Sequence, residues 1–116
     1  MSNLAVRLVP ETIRSLAAAS VVAGYTAIGT ALDHPARILV INNLTDGDVM
    51  FSFDGTNDHM AIAGPGSFVL DITANNGIAG GLFIAQGTTI YAKRIDTPTT
   101  GSVYVSTFYG NSGYNT

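Results

Sequence analysis

Cysteine and tryptophan are absent from this 116-residue chain, charged side chains are scarce, and no apolar run is long. Without cysteine there is no disulfide framework, no thiolate metal site and no cysteine nucleophile, so stability has to come from packing and the redox compartment stays open. Charged residues make up 11 % of the sequence, under half of the roughly 25 % usual for soluble domains. So few charges leave apolar surface that is best buried against other subunits, and a homo-oligomer is expected. The five basic residues, Arg7, Arg14, Arg37, Lys93 and Arg94, are scattered, whereas nucleic acid calls for a clustered basic stripe. No nucleic-acid partner is therefore expected.

Apolar runs stop well short of the ~20 residues a membrane helix needs, so no membrane partner is expected either. Leu16 to Gly24, LAAASVVAG, has the look of a secretion-signal core, but Pro10, Glu11 and the strand-like LAVRLV before it break that pattern. The net charge of -3 is mild, and Asp46, Asp48, Asp54 and Asp58 gather in the middle of the chain. One acidic edge is the expectation.

Strand signals fill most of the remainder. Leu4 to Val9 reads as an extended arm ending at Pro10. ETIRSLAAAS, residues 11 to 20, has the Ala and Leu content of a short helix, and Val21 to Ile28 favours a strand. Ala36 to Asn42 is apolar on both faces and suits a central strand. NNLTDGD then reads as a hairpin connection to Val49 to Phe53, where Val49, Phe51 and Phe53 share a face. DGTND turns into His59 to Ala63, and Gly64-Pro65-Gly66 reverses the chain before Phe68, Leu70 and Ile72. ANNGIAGG is a loop leading to Leu82 to Ile84, Gln86-Gly87 a tight turn, and DTPTTG a hairpin connection between Thr88 to Ile95 and Ser102 to Tyr109.

Short strands between frequent turns predict an all-β fold: an antiparallel β-sandwich or jelly-roll-like barrel of about seven or eight strands, with an extended N-terminal arm. Residues 1 to 20 form the arm or short helix, 21 to 110 the sandwich, and 111 to 116 a flexible tail. Alternation cannot hide every late aromatic, so Tyr91, Tyr104, Phe108 and Tyr109 are candidate interface residues, together with Leu4, Val6 and Leu8 of the arm.

Candidate chemistry is thin. Asp54 and Asp58 in DGTNDH are the weak candidates for a metal, but the EF-hand pattern with its distant Glu is missing and DG and ND are ordinary turn chemistry. His59 beside a carboxylate lacks a nucleophile motif nearby. His34 precedes a proline and suits a structural place at a strand entry. The glycine clusters lack the order of a phosphate-binding loop, so no cofactor is expected.

RILVINNLTDGDVMFSFDGTNDHMAIAGPGSFVLDIT, then GGLFIAQGTTIYAKR and the closing GSVYVSTFYG, resemble a group of small structural proteins encoded by tailed bacteriophages. The likeness covers roughly residues 35 to 110. It implies a β-sandwich component of the virion, in the head, neck or tail, held by contacts with its own copies and with other virion proteins, and without enzymatic activity. A capsid decoration (cement) protein or a head-to-tail or tail accessory subunit fits that description. The alternative is a carbohydrate- or receptor-binding module that stacks a glycan on Tyr91, Tyr104 or Tyr109.

Overall fold

The computed structural model describes residues 6–72 and 84–112. Among them the chain forms an antiparallel β-sandwich of nine strands and no α-helix: β1 (Val6–Pro10), β2 (Arg14–Ala17), β3 (Thr26–Ala27), β4 (Ala36–Asn43), β5 (Val49–Ser52), β6 (Met60–Ile62), β7 (Gly66–Asp71), β8 (Tyr91–Arg94) and β9 (Ser102–Ser112). One sheet has the order β1-β9-β4-β7, with β2 also paired to β9, and the other the order β3-β8-β5-β6. Leu82 and Phe83 of the expected strand lie outside the described residues. Ile84 makes a single bridge to Ala36.

Alternation decides what goes inside. Leu39 and Ile41 of β4, Val49 and Phe51 of β5, Ala92 of β8, and Val103 and Val105 of β9 are all fully buried, and Phe68 and Leu70 of β7 pack against them. β4 lies between β7 and β9, as its unbroken apolar run predicts. A register shift between Ala36 and Ile38 lets both Ala36 and Leu39 face the core.

The N-terminal third departs from expectation. Arg14–Ala17 is a strand, and Ala18–Ser20 a short 3-10 turn, because pairing with the long β9 outweighs the helix propensity of a few alanines. β1 and β2 run along the same edge of β9, so the sandwich begins at Val6 rather than at residue 21. Asn111 and Ser112 belong to β9 instead of the tail, while residues 113 to 116 lie outside the described residues. Of the strand expected over Val21 to Ile28 only Thr26–Ala27 is regular strand, although the Ile28 amide donates to the Ile90 carbonyl (2.8 Å) and the Val22 carbonyl accepts from the Arg94 amide (2.9 Å).

Two expected hairpins are crossings between sheets. β4 and β5 belong to different sheets, as do β8 and β9, so NNLTDGD and DTPTTG carry the chain across the sandwich; the GPG turn between β6 and β7 does the same. The side chain of Asn43, wholly buried, dictates the NNLTDGD crossing. Its amide nitrogen donates to the carbonyls of Gly47 (2.9 Å) and Ile62 (2.8 Å), and its oxygen accepts from the Thr45 amide (3.1 Å) and hydroxyl (2.6 Å). Strand β4 of one sheet is thereby tied to β6 of the other. Gly101 adopts a φ of +84°, and a side chain there would strike the Leu44 carbonyl oxygen, so the DTPTTG crossing packs backbone against backbone on the NNLTDGD crossing.

Asp46 and Asp48 precede β5 and Asp54 and Asp58 follow it, so the four acids divide between two connections and do not make one acidic edge. Asp46 accepts from the Thr99 hydroxyl (2.6 Å) and amide (2.7 Å) and from the Thr100 amide (3.2 Å), bonds that hold its carboxyl down to about 2. Asp48 accepts from the Gly64 amide at 3.3 Å. The NNLTDGD crossing therefore fastens the GPG and DTPTTG crossings.

Asn43→Ala would leave the Thr45 amide without its acceptor and the Ile62 carbonyl without its side-chain donor in a dry interior, each exposed to a penalty of about 1–3 kcal/mol, while the Thr45 hydroxyl and the Gly47 carbonyl keep each other at 2.9 Å. A loss of roughly 3–4 kcal/mol is expected in urea unfolding. A loss below about 1 kcal/mol would contradict the tie that Asn43 makes between the sheets.

Candidate functional site

Two surfaces and one side-chain knot compete for attention, and the sheet geometry separates them. On the outer face of the four-stranded sheet the β5–β6 turn folds back over the strands. Gly55 rests on the Tyr91 ring, whose Cζ lies 3.1 Å from where a side chain at Gly55 would begin. Asp58 meets Lys93 Nζ at 2.9 Å and accepts from the Tyr25 hydroxyl, and the same ammonium lies 4.8 Å from the Tyr25 ring centre. Burial together with the hydrogen bond to Asp58 and the charges of Asp58 and Asp54 pushes the Tyr25 phenol far up.

Asp54 closes this turn. One carboxylate oxygen accepts from the amides of Thr56 and Asn57 (both 2.8 Å) and from the Ser52 hydroxyl (2.9 Å), and the other from the Asn57 side chain (2.8 Å). Those bonds hold its carboxyl far below the ordinary range. His59 Nδ1 accepts from the Phe53 amide at 2.9 Å. The two weak metal candidates are thus engaged in holding a turn, and among the described residues no three His, Cys, Asp or Glu side chains cluster as a metal site would require.

The knot lies where β1 gives way to β2. β1 pairs with β9 in one register and β2 in a register one residue apart, so Thr12 and Ile13 form a kink in what is otherwise one edge strand. The slip turns Arg14 inward. Its Nε donates to the Thr30 carbonyl (2.7 Å) and its Nη2 to the Ala31 carbonyl (3.0 Å) and to Glu11 Oε1 (2.8 Å). The other Glu11 oxygen meets His34 Nδ1 at 2.8 Å, and the His34 ring stacks on Tyr109 with centroids 3.7 Å apart and planes 11° from parallel. Gly29, at a φ of +68°, passes so close that a side chain there would come within 2.9 Å of Arg14 Cβ.

The side chains of Glu11 and Arg14 are each only 6 % exposed. Burial raises the Glu11 carboxyl, but hydrogen bonds from His34, Arg14 and the Asp33 amide, with the guanidinium charge, outweigh it and leave the group lowered. An open groove of about 540 Å³ runs past Glu11, Ile13, Thr30, Asp33, His34 and Tyr109. His34 does hold the structural place expected of it at the entry to β4.

The second surface is the outer face of the five-stranded sheet. Pairing places Phe108, Ile38 and Asp71 in one row, Ser106, Val40 and Val69 in the next, and Tyr104, Asn42 and Ser67 in a third, with Pro10 beside Phe108 and Ser15 beside Tyr104. Tyr104, Phe108, Ile38 and Val40 stay partly exposed, and Val69 and Leu8 are 61 % and 47 % exposed. Of the predicted interface residues, Leu8, Tyr104 and Phe108 therefore share this face. Val6 pairs with Ser112 at its margin. Tyr91 lies on the opposite sheet under Gly55, Tyr109 is stacked on His34, and Leu4 lies outside the described residues. Sequence reasoning missed Val40 and Val69, whose places depend on which strands become neighbours.

Glu11→Ala is expected to cost about 3 kcal/mol, the lower end for a broken buried pair because Arg14 keeps two carbonyls. A carboxyl that titrates lower in the folded chain contributes stability that is complete above its unfolded value, near 4.5, and is lost as pH falls through the folded value. Urea unfolding of wild type and variant from about pH 7 to about pH 3 should show their difference shrinking on the acid side. A difference constant over that range would count against the carboxylate's role.

No family model matches the chain, and neither does any curated protein or solved structure, so the reading of its function rests on its own residues.

Proposed function

We propose that this chain is a non-enzymatic assembly protein, a structural subunit of a tailed-phage particle that docks through the outer face of its five-stranded sheet. The observation that carries the reading is the run of partly exposed apolar side chains Leu8, Phe108, Ile38, Val40, Val69 and Tyr104 across neighbouring strands. A free surface of this kind is costly in water, and a rigid sheet presents it without an ordering penalty on docking. The low charge content supports the same conclusion. A stable contact would cover roughly 800 Å² on each partner.

Capsid decoration and head-to-tail or tail accessory roles both use such a surface, and the partners are further copies and other virion proteins. The resemblance over residues 35 to 110 adds the phage context. Neither histidine supports catalysis: His34 is held by Glu11 and Tyr109, and His59 by the Phe53 amide. The glycan-binding alternative has less support, because Tyr91 and Tyr109 each have a ring face taken by Gly55 or His34.

Tyr104→Ala should leave the fold intact and weaken docking roughly tenfold or more, the usual effect of removing an interface tyrosine near the centre of a contact. Sedimentation velocity of the isolated chain, and cosedimentation with particles stripped of it, would measure this. Unchanged association in both assays would overturn the assigned face, and a monomer that binds no particle would overturn the function.

A further inference from the structure

Among the described residues the two sheets have four edges, and they are not alike. β3 and β6 have two and three residues, too short to template a partner. The β1/β2 edge carries three obstructions: Pro10, the kink at Thr12 and Ile13, and the inward charge of Arg14. These are the devices by which sheet proteins avoid edge-to-edge association. The β7 edge has none of them over its six residues, GSFVLD.

The direction of its free backbone groups follows from the pairing. The Ile72 amide donates to the Arg37 carbonyl, so in this antiparallel ladder Gly66, Phe68 and Leu70 also bond to β4, and the backbone groups of Ser67 and Val69 point away from it. Among the described residues no strand pairs with that side. Val69, in the middle, is 61 % exposed.

We infer that β7 pairs with the β7 of a second copy, antiparallel about a two-fold axis through Val69, joining two five-stranded sheets into one. The inference rests on the assembly reading above and names its partner and its contact. The segment is self-complementary in this register. Val69 faces Val69 of the other copy, and Ser67 faces Asp71, so no carboxylate opposes another. On the inner face Phe68 meets Leu70, both already packed at the margin of the core and only partly covered. On the outer face Val40 and Val69 of each copy line up as one apolar row, continuous with the docking face. An isologous contact of this kind closes on itself and stops at two copies.

Disulfide trapping in the full chain, which has no cysteine of its own, tests the register. With Val69→Cys, the axis brings the two Cα atoms to about 5.5 Å, within disulfide range, and a covalent dimer should form on oxidation. Ser67→Cys should not link, because the same axis sets its two copies four residues apart, roughly 13 Å along the strands. Val69→Lys at this exposed site should fold normally and raise the dimer dissociation constant roughly tenfold or more in sedimentation equilibrium. A monomeric wild type, or equal linking of the two cysteine variants, would overturn β7 pairing. An oligomer unchanged by Val69→Lys and unlinked by Val69→Cys would overturn it while leaving the assembly reading in place. A wild-type chain that neither self-associates nor binds particles would remove both.

Discussion

The fold depends on one buried amide. A sandwich is stable only if its two sheets are held in register over a common core, and apolar packing is too undirected to set that register alone. Asn43 supplies direction: it sits in β4, at the start of the crossing to the second sheet, with both ends of its side chain fully used. Its place in the interior is tolerable because no donor or acceptor is left over. The GPG and DTPTTG crossings are fastened to the same loop, since Asp48 accepts from the Gly64 amide and Asp46 from the Thr99 amide. Acidity in this region is the chemistry of fastening loops.

Much of the fold was legible because strand periodicity is local. The unbroken apolar run of β4, the alternation of β5 and β7 and the β-prone β9 all identify themselves within four to eleven residues. What was hidden was pairing. Turn residues such as NNLTDGD suit a hairpin and a crossing equally well, and only the bonds of Asn43 to Gly47 and Ile62 decide between them. Arg14–Ala17 has helical propensity on its own and a strand's surroundings in the folded chain. The candidate face was half legible: Leu8, Tyr104 and Phe108 follow from surplus aromatics and an exposed arm, whereas Val40 and Val69 become its centre only when β4 and β7 are neighbours. Glu11, Arg14, His34 and Tyr109 meet across almost the whole chain, and no motif joins them.

The distribution of polar groups is consistent with a module whose two sheets have different duties. The four-stranded sheet is clothed by its own turn, with Asp58, Lys93 and Tyr25 linked over its outer face. The five-stranded sheet presents apolar side chains outward, has one obstructed edge and one plain one, and stays in register through strands of up to eleven residues. The low charge content and this apolar outer face are the two features on which the assembly proposal draws.

The knot at Glu11 and Arg14 has a mechanical meaning. β1 and β9 are antiparallel neighbours, so Val6 and Ser112 lie side by side, and tension drawn through those two strand ends loads the backbone bonds between them in sequence, as a zipper. Peeling meets little resistance until it reaches the kink, where the guanidinium's bonds to Glu11, Thr30 and Ala31 and the stacked His34 and Tyr109 must yield together. The same cluster that turns a charge inward is thus the first point at which a pulled chain would hold.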